Sequence, residues 1–361
     1  MRRLLSGWSL RATLVAVAVA GCVLGEVARA RRQWVERERA IAAIENLGGT
    51  VGARGMRCTV MPDQRPVTEL VWGGEELTDA DLAPLAWLTD LRYLRLVAPK
   101  ITEAGLAHLG GLTRLEELDL GETPITDDGL AKLTGLGTLE SLTISSGSRV
   151  TGRGLAHLAR LKGLKSLDLG GARLADADLA QLRSLKSLES LWLADTPLHG
   201  EGLAHIGTLT ALKSLTLSDC GLTGPSLAPL RSLTGLESLT LSFNPIADDG
   251  LAYLAGMIRL EKLYLTDTRI NGSGLVHLAG MASLETLYLG GSQVEGPGLE
   301  HVAGLPSLKL LDLDNNPITD EGQARLRGLP ESATVLITRT RMTDAGRRAL
   351  TRALAGVHVR L

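Results

Sequence analysis

Few residues of this 361-residue sequence stand where they could do chemistry. Cys22 closes Val19-Ala20-Gly21-Cys22 in an apolar run, a nucleophilic thiol behind small residues. Cys58 and Cys220 lie far from it and from each other, so the three cysteines supply neither a disulfide framework nor a zinc spacing. Five of the seven histidines, His108, His157, His205, His277 and His301, share one repeated position, and only the last two fall in adjacent units. A shared position predicts a shared structural task rather than a metal site. Glu117, Asp119 and Asp168, with Asp312, could meet a basic partner or a cation; a solvated acidic face is the plainer alternative. There is no Walker phosphate loop, zinc-protease pair or nucleophile elbow. The glycine-rich stretch Gly48–Gly55 lacks the strand-then-helix setting that a phosphate loop needs, and Asn271-Gly272-Ser273 matches a glycosylation triplet that is common by chance. No catalytic residue, metal or cofactor is expected.

Composition points the same way. Hydrophobic residues make up 44% of the chain but aromatics only 3%, with one Phe, so the core is built almost wholly from leucine. Aromatics normally fill irregular core volumes, and their scarcity implies one small packing solution used many times. Residues 1–66 carry 11 Lys+Arg against 5 Asp+Glu, and the remainder carries 27 against 35. No basic stripe follows the body, so nucleic acid is excluded as the expected partner.

The elements that must position these residues come from a repeat. Leu-x-x-Leu-x-Leu begins at Leu91, Leu115, Leu139, Leu164, Leu188, Leu212, Leu236, Leu260, Leu284 and Leu308, stepping by 24 except for one step of 25. Val67-x-x-Leu70-x-Trp72 and Ser332-x-x-Val335-x-Ile337 extend the frame to twelve units. Within a unit, Leu118 and Leu120 alternate with Glu117 and Asp119, a period of two that marks a half-buried strand. Thr123, matched elsewhere by Thr196, Cys220, Asn244, Thr268, Ser292, Asn316 and Thr340, can satisfy backbone groups of a buried loop. Ile125 plugs the core. Thr126 caps a short helix whose Asp127 and Asp128 suit the positive end of its dipole. Gly129 lets neighbouring turns approach, and Leu130, Leu133 and Leu136 form the buried helical face. Stacked units bury one continuous core. Gln323 and Arg347 replace the leucine that begins the helix elsewhere, as polar terminal turns require, and residues 344–355 read as a longer closing helix before Val357-His358-Val359.

These units resemble leucine-rich repeats, and Ile-Thr-Asp-x-Gly-Leu resembles the cysteine-containing subclass of F-box proteins. The 24-residue step, the N-terminal segment and Ala43-Ile44-Glu45-Asn46-Leu47-Gly48-Gly49 are similar to the repeat proteins of planctomycete-type bacteria. The resemblance covers residues 34–361. It implies an α/β leucine-rich-repeat solenoid, a horseshoe with a parallel concave sheet and short convex helices, that binds other macromolecules. The chain departs from the F-box group in lacking an F-box-like module and the subclass cysteine.

Residues 12–25, ATLVAVAVAGCVLG, are apolar and uncharged, between Arg2, Arg3, Arg11 and Arg29, Arg31, Arg32. Fourteen residues fall short of the roughly 20 needed to span a bilayer. A signal anchor, a cleaved secretory signal and a lipoprotein signal all fit, the last because Val19–Cys22 resembles a bacterial lipobox; Val23 and Leu24 after the cysteine favour a continuing helix. A buried N-terminal helix is the remaining alternative. Residues 31–47 then read as an amphipathic helix, with Trp34, Ile41, Ile44 and Leu47 on one stripe and Gly48-Gly49 to close it. Val51 and Met56–Met61 suggest a short hairpin. The expected organisation is a signal anchor or signal peptide over 1–33, a helix-plus-hairpin cap over 34–66, repeats over 67–331, and the last repeat with the C-terminal cap over 332–361.

The strand position between the last two core residues faces away from the core. It holds Val71, Arg95, Asp119, Thr143, Asp168, Trp192, Thr216, Thr240, Tyr264, Tyr288, Asp312 and Leu336. Two residues earlier come Tyr93, Glu117, Lys262, Thr286 and several serines. Tyr93, Trp192, Tyr264 and Tyr288 are four of ten aromatics and are expected to face solvent, where exposed aromatics anchor interfaces. They could instead support one another across strands. Twelve strands spaced by about 4.8 Å give an arc of roughly 55 Å, suited to a protein or polymer ligand. The candidate ligand-binding residues are Tyr93, Arg95, Asp119, Asp168, Trp192, Tyr264, Tyr288 and Asp312, with Cys22 as the lipidation candidate. The expected function is non-catalytic binding of a protein or cell-envelope polymer by an extracytoplasmic repeat domain that its N-terminus holds to a membrane. An intracellular adaptor or substrate-receptor scaffold is the second reading.

Overall fold

The computed structural model describes residues 10–52, 66–145 and 148–361. A helix, α1 (Leu10–Asn46), leads into one sheet of 14 strands that follow one another in chain order. These are β1 (Thr50–Gly52), β2 (Glu69–Gly73), β3 (Tyr93–Val97), β4 (Glu117–Asp119), β5 (Ser141–Thr143), β6 (Ser166–Asp168) and β7 (Ser190–Trp192). There follow β8 (Ser214–Thr216), β9 (Ser238–Thr240), β10 (Lys262–Tyr264), β11 (Thr286–Tyr288), β12 (Leu310–Asp312), β13 (Thr334–Leu336) and β14 (His358–Arg360). β2 to β13 are the strands of the twelve units, paired parallel in register. Val357-His358-Val359 contributes to one more parallel strand beyond them, β14. His358 and Arg360 are exposed on this strand.

Each return segment carries a helix of one to three turns, many of them 3-10. Pro84 and Pro229, each inside one of these, remove an amide donor and so oppose regular α-helix. The leucines of strand, loop and helix meet in one buried cluster running from Ile44 to Leu354. The helix starts are capped as the threonines imply: Thr126 accepts from the Gly129 N–H at 3.2 Å and Thr343 from the Gly346 N–H at 3.1 Å. The closing helix spans Asp344–Ala353 and buries Leu350.

The N-terminal region matches expectation only in part. The helix is continuous through residues 12–25 and on to Asn46, so Cys22 stands exposed within α1. Among the described residues no helix is long and apolar enough to cross a membrane, against the expected transmembrane helix; Glu26, Arg29, Arg31 and Arg32 end the apolar run early. The buried stripe is Ala40 and Ile44, with Ile41 partly buried, whereas Trp34 and Leu47 are exposed. Leu47 lies past the helix end, where left-handed Gly48 (φ 85°) reverses the chain. Finally, β1 pairs antiparallel with β2, the first repeat strand, through Val51 and Leu70; Met56–Met61 and Cys58 lie outside the described residues.

Candidate functional site

Several of the loops that follow the strands are held by buried polar side chains. Asn244 Nδ2 donates to the carbonyls of Leu217 (2.7 Å), Leu241 (2.9 Å) and Ser242 (3.2 Å), while its Oδ1 accepts from the N–H of Cys220 (3.1 Å) and Leu222 (2.9 Å). Asn316 repeats this pattern, and Thr123, Thr268 and Ser292 make smaller versions. Cys220 belongs to the same ladder: its Sγ donates to Leu193 O at 3.1 Å, and burial pushes the thiol up to about 12, an inert structural cysteine. The five histidines sit on the helical side of the solenoid, at the shared position. Asn271 uses its side-chain oxygen to accept from the Ser273 N–H (3.0 Å).

With the core and loops accounted for, the outward face of the sheet remains. Parallel register brings one residue from each strand into a single row: Val71, Arg95, Asp119, Thr143, Asp168, Trp192, Thr216, Thr240, Tyr264, Tyr288, Asp312, Leu336 and finally Arg360. Some of the candidate residues are thereby joined. Arg95 and Asp119 form an ion pair at 3.5 Å. Asp168 neighbours Trp192, whose ring approaches Gly170. Tyr264 and Tyr288 stack with centroids 5.0 Å apart and 17° between planes, and Asp312 follows them. Stacking leaves both tyrosines half-buried, whereas Trp192 is 50% exposed.

Other candidates are kept apart. Tyr93 stands half-buried on β3, four strands before Trp192. The acidic residues do not converge: Asp312 is six strands from Asp168, and no group of three His, Cys, Asp or Glu among the described residues could hold a metal. Each of these aspartates also has local work. Asp119, Asp168 and Asp312 accept from the backbone N–H two residues on, at 2.9, 2.8 and 2.9 Å. Burial pushes the carboxyls of Asp168 and Asp312 above their ordinary value, against these N–H bonds. Burial, then the adjoining Tyr264 and Asp312, raises the Tyr288 phenol.

Phe243 escapes the sequence reading. It follows β9 at a position held in left-handed conformation in many turns, filled elsewhere by Glu122, Asp195, Asp219, Asp267, Asn315, Arg339 or glycine. Phe243 adopts φ 61° and is 55% exposed. A bulky residue there costs about 1 kcal/mol or more, and its ring recovers little by burial. The available signal is the lone Phe of the chain at a repeat position that is polar or glycine in most other turns. A separate cleft of about 390 Å³ lies between α1 and the first repeat, lined by Trp34, Arg37, Trp87 and Asp90 among others.

Comparison with known proteins agrees with this geometry. A leucine-rich-repeat family profile matches residues 258–318, and a second matches 112–133 and 233–255. The repeats of this chain are leucine-rich repeats, arranged as a solenoid. Comparison with curated proteins gives no match. Among solved structures, the chain is similar to an internalin (inlF) of Listeria monocytogenes, at 24% identity and TM-score 0.59, covering 81% of this chain and 86% of that one. A leucine-rich-repeat protein of Leptospira interrogans aligns at 16% identity and TM-score 0.51, over 82% and 90% of the two chains. The Arabidopsis receptor kinase HAESA, solved with a peptide hormone and a co-receptor, aligns at 20% identity and TM-score 0.58, over 86% of this chain and 54% of that one. These likenesses concern the fold.

Proposed function

We propose that the chain is a non-catalytic binding scaffold that recognises a protein or cell-envelope polymer on the outward face of its sheet. Solenoids of stacked repeats present extended surfaces of this kind for binding. The observation that carries the reading is the single row of residues from Val71 to Arg360, which sets Trp192 and the Tyr264–Tyr288 stack on a mostly polar face. Aromatics so placed are the usual anchors of interfaces. The residues assigned to the surface are Tyr93, Arg95, Asp119, Asp168, Trp192, Tyr264, Tyr288 and Asp312.

The N-terminal segment holds the protein to a membrane, with the repeats extracytoplasmic. Support comes from the apolar run 12–25 between arginines and from Val23, Leu24 and Val27, all exposed along α1 around Cys22. Anchoring then rests on acylation of Cys22, with the exposed apolar residues around it lying against the membrane surface.

The test of the surface is capture of the partner from the native host by cross-linking. Trp192→Ala combined with Tyr264→Ala is expected to abolish capture while leaving the core intact; unchanged capture removes the sheet face from contention. Fractionation of a tagged chain tests the tether, and soluble cytosolic material supports the intracellular adaptor reading instead.

A further inference from the structure

We infer that the section of sheet formed by β7 to β11, with Phe243 on its rim, docks an extended polypeptide segment bearing arginine or lysine. The inference rests on the sheet-face reading above and names the chemistry of its ligand.

The section has an aromatic frame. Trp192 stands on β7, beside Thr216 of β8, and Tyr264 and Tyr288 stand on β10 and β11. Between them Thr216 and Thr240 are small, which leaves a saddle roughly 14 Å long at about 4.8 Å per strand. Phe243 follows Thr240 by three residues and projects from the loop at the strand end. Asp or Asn would relieve its left-handed backbone, and the same position in the turns on either side is Asp219 and Asp267. A phenylalanine kept in that conformation, exposed, has no role in the core that would account for it. Contact with a partner would.

The charges around the saddle select the partner. Asp219 and Asp267 flank Phe243 and are exposed. At the opposite ends of the strands, the row of residues preceding the sheet is a ladder of ion pairs: Arg92–Glu116, Lys165–Glu140, Lys213–Glu189 and Lys309–Glu285. The ladder breaks at Glu237 and Glu261, adjacent like charges that form no ion pair among the described residues. Lys262 is the one cation on strands β8 to β11. Aromatic faces between two carboxylate rows suit a guanidinium or ammonium group, which gains from ring faces and from charge together. An anionic glycan or an acidic peptide meets Asp219 and Asp267 on one side and Glu237 and Glu261 on the other, with Lys213 and Lys262 as the cations beside the second row.

The experiment uses the full chain and three labelled Gly/Ser decapeptides carrying two arginines, two asparagines or two glutamates. Anisotropy titrations are expected to give at least tenfold tighter binding of the arginine peptide than of the asparagine peptide, with the glutamate peptide weakest. Phe243→Asn is expected to weaken arginine-peptide binding at least fivefold while raising the melting temperature, a combination that a merely structural residue does not give. Equal affinity for the three peptides, or arginine-peptide binding unchanged by Phe243→Asn, overturns the proposal. If capture of the native partner is lost in the Trp192→Ala, Tyr264→Ala variant while the peptides bind equally, the sheet-face reading stands and the cationic assignment falls.

Discussion

Asp79 accepts hydrogen bonds from the backbone N–H (2.8 Å) and the hydroxyl (2.6 Å) of Thr102, one solenoid turn further along the chain. Asp127 holds Thr151 and Asp320 holds Thr343 in the same way. Asp176 and Asp248 reach the backbone N–H groups of His199, Gly200 and Gly202, and of Asn271, Gly272 and Gly274. The acidic residue at one helix start therefore caps the next helix as well as suiting its own dipole. Burial works against the charge on Asp79, but the Thr102 hydroxyl and the N–H groups of Thr102 and Gly105 outweigh it and hold the carboxyl below its ordinary value.

That relationship predicts an acid-sensitive contact. A carboxyl with a depressed folded value contributes stability above its unfolded value, near pH 4, and loses it as pH falls through the folded value. Asp79→Ala is expected to lower the melting temperature at pH 7, by the equivalent of about 1 kcal/mol for a lost cap. The difference between wild type and variant should narrow as the pH drops below 4. A gap that stays constant from pH 7 to pH 2.5 would show that the charge on Asp79 is irrelevant to stacking.

Asn244 predicts a larger loss. It is almost fully buried and serves five backbone groups across two turns. Asn244→Ala strands the N–H of Cys220 and Leu222 and the carbonyl of Leu217, and each orphaned buried group costs about 1–3 kcal/mol. A destabilisation of about 3 kcal/mol or more is expected in urea unfolding, with the amides of Cys220 and Leu222 losing hydrogen-exchange protection first. Thr196, which makes one bond of 3.3 Å to Ala194 O, should tolerate Thr196→Val at well under half that cost.

Much of this architecture could be read from residue spacing, because the leucines, the cap threonines and the ladder position recur every 24 residues and each obeys a local rule. The cap aspartates were legible only in part. Their bonds join residues 23 to 26 apart, and a helix-start aspartate looks the same whether it serves its own turn or the next. The binding-face candidates followed from strand alternation, but their grouping did not. Register alone decides that Tyr264 meets Tyr288 while Tyr93 stands away from Trp192. Trp34 and Leu47 fit the helical stripe by spacing, yet full burial falls on Ala40 and Ile44. Phe243 was hidden because a left-handed backbone leaves no mark on a periodic apolar pattern.

Close approach of the turns makes a paired prediction. A Cβ on Gly202 would lie 2.6 Å from the carbonyl oxygen and 2.8 Å from the Cα of Asp176, backbone atoms that cannot swing aside. Gly280 has nothing within 4 Å of the same addition. Gly202→Ala is expected to cost about 1–3 kcal/mol as overpacking, and Gly280→Ala to be neutral or slightly stabilising through the unfolded chain. Equal melting temperatures for the two variants would mean that the turns have room to separate.

Asp168 predicts the opposite pH behaviour to Asp79. Burial, with the charge of Asp119, raises its carboxyl above the ordinary value, although the Gly170 N–H opposes the shift. The folded chain then binds that proton more readily than the unfolded chain does, so the ionised carboxylate weighs against the fold at neutral pH. Asp168→Asn keeps a carbonyl oxygen for the Gly170 N–H and removes the charge. Its melting temperature is expected to exceed that of wild type at pH 7, and the gain should fade as pH drops below the ordinary carboxylate range, where both states of the wild type are protonated. A neighbour of Trp192 that costs stability when charged is better explained by what it meets on the sheet face than by folding. The same variant should therefore weaken binding of the arginine peptide. Asp168→Asn that is less stable at pH 7, or that binds the peptide as tightly as wild type, would return this carboxylate to a purely structural role.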